Sequence, residues 1–463
     1  MKVVVLGGGS TGEHFVGALR RFDDEAQITL VESRLVGGEC SYFACMPTKT
    51  MLRATELGSS LDRAPGLHGE RPEPDGVWSW RDWMTNDWDD AGQLHYLEEW
   101  RCRLVRGEGR VARPGVVEVD GQELAYDRLV LATGSRPAIP PIDGLDSIDY
   151  WTNREATRTH KVPQSLAVMG GGPVGAELAQ FFSRMGSRVT VVERGERLLG
   201  RFHPDAGELL AELFREEGIG VRIGVGIERA ERWAGSVAGE AGDARRKTAA
   251  PPAPPGIRLH LSDGSTLETE RLLIATGRRP NVERLGLDEL GVKISGRGVE
   301  VDERLRAADD VWAIGDVTGI AQFTHVGKYQ ARVAAADMTR RRAKADYRAI
   351  PAGIFTDPEV AAVGRSDGED LVSTRIELGK LPRLSTYEKP ARDGFVRVFA
   401  DPRQGVLVGA VCVGPQAAEW LGQFTLAIRA AVPIETLLDT IQPYPTFSEG
   451  VFYALQELQG QLS

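Results

Sequence analysis

Two stretches of this chain repeat one another, and the repeat fixes most of what it can fold into. Val3–Leu6 is a short apolar run that ends in Gly7-Gly8-Gly9-Ser10-Thr11-Gly12. A helical run from Glu13 to Arg21 follows, and a second strand, Ile28–Val31, ends on Glu32, twenty residues past Gly12. The same series returns at Ser165–Met169, with Gly170-Gly171-Gly172-Pro173-Val174-Gly175, a helix over Ala176–Met185, a strand over Arg188–Val192, and Glu193 eighteen residues past Gly175. In each copy the first glycine (Gly7, Gly170) permits a tight turn. The second (Gly9, Gly172) lets a pyrophosphate approach a helix N-terminus, and the third (Gly12, Gly175) lets helix and strand pack closely. The terminal acid, Glu32 or Glu193, suits a ribose hydroxyl. A lone glycine pattern says little; strand, turn, helix, strand and acid in order define a dinucleotide-binding unit. Two such units in one chain imply two dinucleotides, one of them a flavin.

Each unit also has a strand that runs into a Thr-Gly pair. Arg128–Ala132 leads to Thr133-Gly134-Ser135-Arg136-Pro137, and Leu272–Ile274 leads to Ala275-Thr276-Gly277-Arg278. A further strand, Val311–Ile314, ends in Gly315-Asp316 and precedes a helical run from Gly327 to Arg341. From Ile350 onward no glycine fingerprint appears. Alternating stretches such as Val396–Phe399 and Leu407–Val411 predict a mixed α+β domain with an antiparallel sheet. The predicted fold class is therefore α/β, with two Rossmann-like dinucleotide-binding domains and a C-terminal α+β domain.

Between the first fingerprint and the middle of the chain lies Gly37-Gly38-Glu39-Cys40-Ser41-Tyr42-Phe43-Ala44-Cys45-Met46-Pro47-Thr48-Lys49, with two of the four cysteines. The residues after it read as helix, and Pro47 fits a first-turn position where no backbone donor is needed. The positive end of a helix dipole favours a thiolate there. Five residues apart on a regular helix, the two Cα atoms would be roughly 8–9 Å apart. A disulfide needs about 4.4–6.8 Å, so a Cys40–Cys45 bridge requires a distorted first turn. Two unrelated buried thiols are the alternative; the flanking glycines, proline and lysine favour a redox dithiol. Cys102 and Cys412 read as packing residues.

Composition closes off other classes. The 463 residues are enough for two or three domains, with 42% hydrophobic and 26% charged residues. A net charge of -10 argues against nucleic-acid or anionic-membrane partners. Four cysteines in so long a chain point to a reducing compartment, and the mainly apolar start, Met1 to Leu6, runs into glycines after six positions, too few for a signal peptide or a membrane span. The cytoplasm is the expected location. Trp78, Trp80, Trp83, Trp88 and Trp100 lie amid prolines and acids between Gly58 and Trp100, and read as packing under a long loop rather than as the floor of a substrate pocket. Ala234–Gly256, with its Pro/Ala run, reads as an exposed flexible loop between strands.

In four features taken in order, the chain resembles the flavin-dependent pyridine nucleotide–disulfide oxidoreductases over essentially its full length. These are the first fingerprint, the Gly-Gly-x-Cys-x4-Cys-x-Pro-x-Lys motif, the second fingerprint and the Gly315-Asp316 strand end. The resemblance implies an FAD domain over 1–150 and 280–348, an NAD(P) domain over 151–279, and a dimerisation domain over 349–463. It implies that Gly7, Gly9, Gly12 and Glu32 hold the ADP half of FAD, and that Gly109, Thr133, Gly134, Ser135 and Asp316 hold the rest, with Thr324 and His325 nearby. His325 also has a plainer reading as a helix-start residue. Gly170, Gly172, Gly175, Glu193, Arg194 and Gly277 fall to NAD(P)H. NADH is favoured, because Glu193 repels a 2′-phosphate while Arg194 and Arg197 soften that repulsion.

The resemblance further implies that Lys49 approaches the flavin and pairs with Glu177, that Cys45 is the flavin-side thiol and that Cys40 meets the substrate. It implies a homodimer acting on a small-molecule electron acceptor. No resident metal site is read. One position departs from the pattern. Disulfide-reducing relatives carry His-Pro-Thr-x-x-Glu near the C-terminus, whereas this chain reads Tyr444-Pro445-Thr446-Phe447-Ser448-Glu449. Mercuric reductases carry a tyrosine in this neighbourhood but also a C-terminal vicinal cysteine pair, and this chain ends Gln459-Gly460-Gln461-Leu462-Ser463. The acceptor is thus a disulfide, a quinone or a metal ion. Alternatives are a dihydrolipoyl dehydrogenase-like enzyme working without the histidine, a mercuric reductase-like enzyme, and a non-catalytic flavin-binding redox sensor.

Overall fold

The computed structural model describes residues 1–69, 71–233, 256–388 and 394–462. The Pro/Ala-rich stretch read as a loop lies outside them, apart from Gly256, which opens the strand Gly256–Leu261. The chain forms two compact units, one of Met1–Thr48, Ser79–Ala138 and Arg278–Tyr347, the other of Lys49–Trp78, Ile139–Gly277 and Arg348–Ser463.

The first unit is built on a six-stranded sheet in the order Arg306–Ala308, Val311–Ala313, Arg128–Leu131, Lys2–Leu6, Gln27–Glu32 and Cys102–Arg106. All neighbours are parallel except the outermost Arg306–Ala308. Val3 to Leu6 and Leu129 to Leu131 are all buried, as expected of strands covered on both faces. One cluster packs Phe15, Val16 and Leu19 of the helix Ser10–Phe22 with Ala331, Ala334 and Ala335 of the helix Thr324–Met338. Another joins Val4 and Leu6 of the sheet to Val111 and Val117 of the antiparallel meander Gly109–Arg113, Val116–Val119 and Gln122–Ala125. The parallel order brings the C-terminal ends of Lys2–Leu6, Arg128–Leu131 and Val311–Ala313 to one edge, where the Gly7, Thr133 and Asp316 turns begin.

The second unit repeats the arrangement with a four-stranded parallel sheet, Gly220–Ile223, Arg188–Glu193, Ser165–Met169 and Arg271–Ile274. It also contains a five-stranded antiparallel sheet in the order Pro351–Ile354, Glu359–Gly364, Val406–Gly414, Phe395–Asp401 and Val372–Glu377. Helices Ala417–Arg429 and Glu449–Leu462 bury Leu421, Phe424, Val451 and Leu455 with this sheet's residues. The predicted mixed α/β class and the antiparallel C-terminal sheet are both present.

The tryptophan-rich segment departs from the expected long loop. It folds as two helices, Pro74–Met84 and Ala91–Glu99, joined by a short turn over Asn86–Trp88. Its tryptophans have separate environments. Trp78 is buried edge-on against Phe181 at 5.8 Å between ring centroids, whereas Trp83 is largely exposed. Arg21 lies over the Trp100 ring.

Candidate active site

At the first fingerprint the backbone turns at Gly7, with φ of +106°, directly against the Ala132 carbonyl. A Cβ on Gly12 would lie 2.1 Å from the Gly7 carbonyl oxygen, so only glycine lets helix and strand come this close. Gly9 caps the helix Ser10–Phe22 with no side-chain hydrogen bond, and a Cβ there would meet nothing nearer than 3.9 Å. The helix start thus has no side-chain cap and leaves room beside Gly9, as a bound phosphate requires. The Glu32 carboxylate accepts the Gly8 and Arg34 amides, each at 2.7 Å, which fixes it at the mouth of this turn.

The second fingerprint reproduces each feature in the other unit. Gly170 turns against Ala275, a Cβ on Gly175 would lie 1.9 Å from the Gly170 oxygen, and nothing lies within 4 Å of one on Gly172. Glu193 accepts the Gly171 and Gly195 amides at 2.6 Å each. Gly277 follows the strand Arg271–Ile274 with open space beside it, and Arg194 lays its stem toward Gly226. Gly175→Ala is expected to push the helix Pro173–Arg184 off its strand. The overpacking costs about 1–3 kcal/mol, read as a lowered midpoint in thermal unfolding.

Gly109, Thr133, Gly134, Ser135 and Asp316 all belong to the first unit. A Cβ on Gly109 would press on Leu6 and Val31, and one on Gly134 would meet nothing. Ser135 donates to Asp316 at 2.5 Å. Sequence reasoning missed two residues that organise this turn. Asn281 brackets it, its amide side chain donating to the Thr133 carbonyl and its backbone N–H to the Gly134 carbonyl. Arg278 donates to the Ser135 hydroxyl at 2.7 Å and to its carbonyl at 2.8 Å, and lies 3.4 Å from Glu39 and 3.9 Å from Asp316. The signal was the repeated Thr-Gly strand end. The two copies pair antiparallel, with Arg278 opposite Pro137 and Pro280 opposite Ser135.

Cys40 and Cys45 are brought together because the helix does not run through them. A short helix, Gly38–Tyr42, ends at Phe43, and the helix Cys45–Asp62 starts two residues later with Pro47 in its first turn. Both sulfurs are thiols in this structure and both are partly exposed. The Cys40 thiol is held protonated, well above its ordinary range, first by the hydrogen bond it shares with Cys45 and then by burial. Cys45, the first residue of its helix, also faces the Thr324 hydroxyl at 3.5 Å. The pair therefore loses its first proton as a unit, with the negative charge favoured on Cys45 at the helix N-terminus. His325, the second residue of the helix Thr324–Met338, stacks on Phe323 with ring centroids 5.3 Å apart.

The remaining candidates belong to the second unit. Lys49 is bound by both oxygens of Glu177, at 2.9 and 2.7 Å, and Glu177 also accepts the Phe355 amide. The Lys49 ammonium sits 4.8 Å from the Phe355 ring centroid, a contact with no marker in the sequence. Tyr444 is 72% exposed and precedes a cis proline. Glu449 starts the last helix, and its buried Oε2 has no hydrogen-bond partner among the described residues.

Uncapped helix N-termini beside open glycines, each with a fixed acid at the next strand end, fit two dinucleotides. The first unit also holds a thiol pair, and the second a lysine oriented by a carboxylate. Residues 1–336 match the family described as pyridine nucleotide-disulphide oxidoreductase, and residues 350–454 match the dimerisation domain of the same family. The chain is 33% identical to a mercuric reductase of Acidithiobacillus ferrooxidans, over 98% of this chain and 82% of that one. It is 31% identical to a dihydrolipoyl dehydrogenase of Thermus scotoductus, over 99% and 97%. Among solved structures it resembles LpdA from Mycobacterium tuberculosis, with a TM-score of 0.86 and 25% identity over 99% of each chain. The flavoprotein disulfide reductase RclA from Escherichia coli shares the fold, with a TM-score of 0.83 at 22% identity and full coverage of both chains. The chain belongs to the pyridine nucleotide–disulfide oxidoreductase family, whose enzymes use FAD and NAD(P)H. No helix among the described residues is long and apolar enough to cross a membrane.

Proposed function

We propose that this protein is an FAD-dependent NAD(P)H oxidoreductase in which Cys40 and Cys45 cycle between disulfide and dithiol, working as a cytoplasmic homodimer on a small-molecule acceptor. The observation that carries the reading is the break between Tyr42 and Cys45, which lets two cysteines five residues apart share a hydrogen bond. The domain assignment that goes with it is FAD binding by 1–150 and 280–348, NAD(P) binding by 151–279 and dimerisation by 349–463. Gly7, Gly9, Gly12, Glu32, Gly109, Thr133, Gly134, Ser135, Asp316 and Thr324 would hold FAD. Gly170, Gly172, Gly175, Glu193, Arg194 and Gly277 would hold the nicotinamide nucleotide. Bound FAD supplies the two-electron relay between NAD(P)H and the thiol pair.

The chain's own part is thiol and proton chemistry. Starting from the dithiol, Cys40 gives up its proton and attacks a substrate disulfide as the thiolate, forming a mixed disulfide while the leaving sulfur takes up a proton and departs as one thiol. The Cys45 thiolate then attacks the Cys40 sulfur, releases the second thiol and closes the Cys40–Cys45 disulfide. Two electrons and two protons pass to the acceptor. Lys49, oriented by Glu177, supplies a fixed positive charge that favours an anionic reduced partner.

Tyr444 favours a second version, with a quinone or metal ion as acceptor. An exposed tyrosine is a poor proton relay at neutral pH, and those acceptors release no thiolate that needs a proton. Similarity to mercuric reductases supports the same version. Steady NADH oxidation on a panel of lipoamide, glutathione disulfide, a quinone and mercuric ion tests both. Turnover with any member supports an enzyme, and turnover with none makes the protein a flavin-holding sensor. On that panel kcat/KM for NADH should exceed that for NADPH about tenfold, worth roughly 1.4 kcal/mol, because Glu193 opposes the 2′-phosphate. Arg194 and Arg197, which follow Glu193, are the side chains that would reverse this preference.

A further inference from the structure

We propose that the turn Asn86–Trp88 is a positioning element for the sulfur pair, and that Trp88, acting through the Tyr42 carbonyl, sets how readily Cys40 and Cys45 close to a disulfide. The proposal deepens the reading of these cysteines as a redox pair and rests on it.

The turn is unusual in its backbone. Asn86, Asp87 and Trp88 have φ of 50°, 52° and 58°, three consecutive non-glycine residues in the left-handed region. Single asparagines and aspartates enter that region, but runs of three do not, and a tryptophan has no local compensation for it. Such a conformation persists only where the surroundings over-determine it. Here the Trp88 amide donates to Thr85 O at 3.0 Å, the Asp89 amide to Asn86 O at 2.9 Å, and the Asn86 side chain to Asp89 O at 3.1 Å. Thr85 in turn bonds back to Arg81 and Asp82, and the buried Arg81 guanidinium lies 5.1 Å from the Trp88 ring centroid.

What the turn secures is one bond in the cysteine segment. The Trp88 indole N–H donates at 3.0 Å to the carbonyl of Tyr42, the last residue of the short helix Gly38–Tyr42. The flanking residues hold the same segment at two further points. The Tyr42 hydroxyl donates to Gln93 at 2.7 Å, and the Val36 amide donates to Asp90 at 2.7 Å. Carbonyls at a helix end need a partner from outside the helix. If Tyr42 O lacked one, continuing the first helix into the second would satisfy it. A continuous helix would separate the two Cα atoms by roughly 8–9 Å, beyond the reach of a disulfide. Trp88 thus stabilises the break, and with it the approach of the two sulfurs.

The test is the exchange equilibrium of the full-length flavoprotein with glutathione. The Cys40–Cys45 disulfide and two glutathione thiols give the dithiol and one glutathione disulfide, with two electrons and two protons transferred. Acid quenching and thiol tagging in denaturant count the product, with Cys102 and Cys412 as a constant background. Trp88→Phe, which keeps a ring but loses the donor, is expected to shift the equilibrium about tenfold toward dithiol, or about 30 mV for a two-electron couple. Asn86→Val, at an exposed site, disfavours the left-handed turn without touching Trp88 and should shift it the same way. Asp87→Gly, which accepts the same φ freely, should leave it within twofold of wild type. A purely structural role would lower the melting temperature in the first two variants and leave the equilibrium unmoved, which overturns the proposal. A pair that titrates alike in all four proteins overturns it while leaving the functional reading intact. Wild-type cysteines that form no reducible pair overturn both.

Discussion

Replacing Cys45 with serine is expected to abolish disulfide reduction and the long-wavelength absorption that a thiolate produces beside an oxidised flavin. Cys40→Ser should lose turnover but keep that absorption. The asymmetry follows from how the two sulfurs share charge. Cys40 is held as a thiol by the hydrogen bond to Cys45 and by burial, whereas Cys45 opens a helix, whose N-terminus favours an anion. Removing either sulfur removes the only route to a closed disulfide. The loss in disulfide turnover should reach the background, at least about 10³-fold, as when a covalent nucleophile is deleted. Absorption spectra of the two variants after anaerobic addition of NADH decide the assignment. If Cys45→Ser retains the band and Cys40→Ser loses it, the two roles are exchanged. The band should also fade as pH falls, because protonation removes the thiolate.

The parts of this architecture that were legible in the sequence are those written in local spacing. Gly7, Gly12 and Glu32 announce themselves because a turn, a close helix–strand approach and a strand end lie within one βαβ unit, and Gly170, Gly175 and Glu193 repeat them. The antiparallel C-terminal sheet was legible for a similar reason, since alternation over Val396–Phe399 is a short-range signal. The helices Pro74–Met84 and Ala91–Glu99 were not. Prolines, glycines and acids dominate their flanks, and the turn between them depends on the hydrogen bonds of Thr85, Asn86 and Asp89 rather than on glycine. Arg278 was hidden for a different reason. Its role exists only because Ser135–Pro137 and Arg278–Pro280 pair across some 140 residues of chain. The Lys49–Glu177 pair, 128 residues apart in sequence, was reached through family resemblance and not from residue spacing.

A histidine at position 444 is expected to raise disulfide turnover by about 10²–10⁴-fold while changing the quinone rate little. Attack on a disulfide needs a base to generate the thiolate and an acid to protonate the leaving sulfur, and general acid–base help of this kind carries that range of effect. Tyrosine, with an ordinary pKa near 10, holds its proton through the neutral range, whereas histidine exchanges one there. The local setting can receive the substitution. Tyr444 is largely exposed, so an imidazole displaces no core packing, and Glu449 nearby in sequence carries a buried carboxylate oxygen without a hydrogen-bond partner among the described residues. An imidazole N–H that reached that oxygen would be oriented by it and stabilised when charged. In a homodimer joined through residues 350–454, the relay would serve the partner's Cys40, so an unsubstituted subunit paired with one carrying both Tyr444→His and Cys40→Ser should keep one improved site, whereas Tyr444→His paired with Cys40→Ser should keep none. Tyr444→Phe separates the remaining roles of the native side chain. It should leave both rates near wild type if the ring serves only as a wall, and lower the disulfide rate if the hydroxyl donates a proton. Wild-type protein that reduces lipoamide as fast as a quinone would show that the proton comes from elsewhere, and Tyr444→His would then bring no gain.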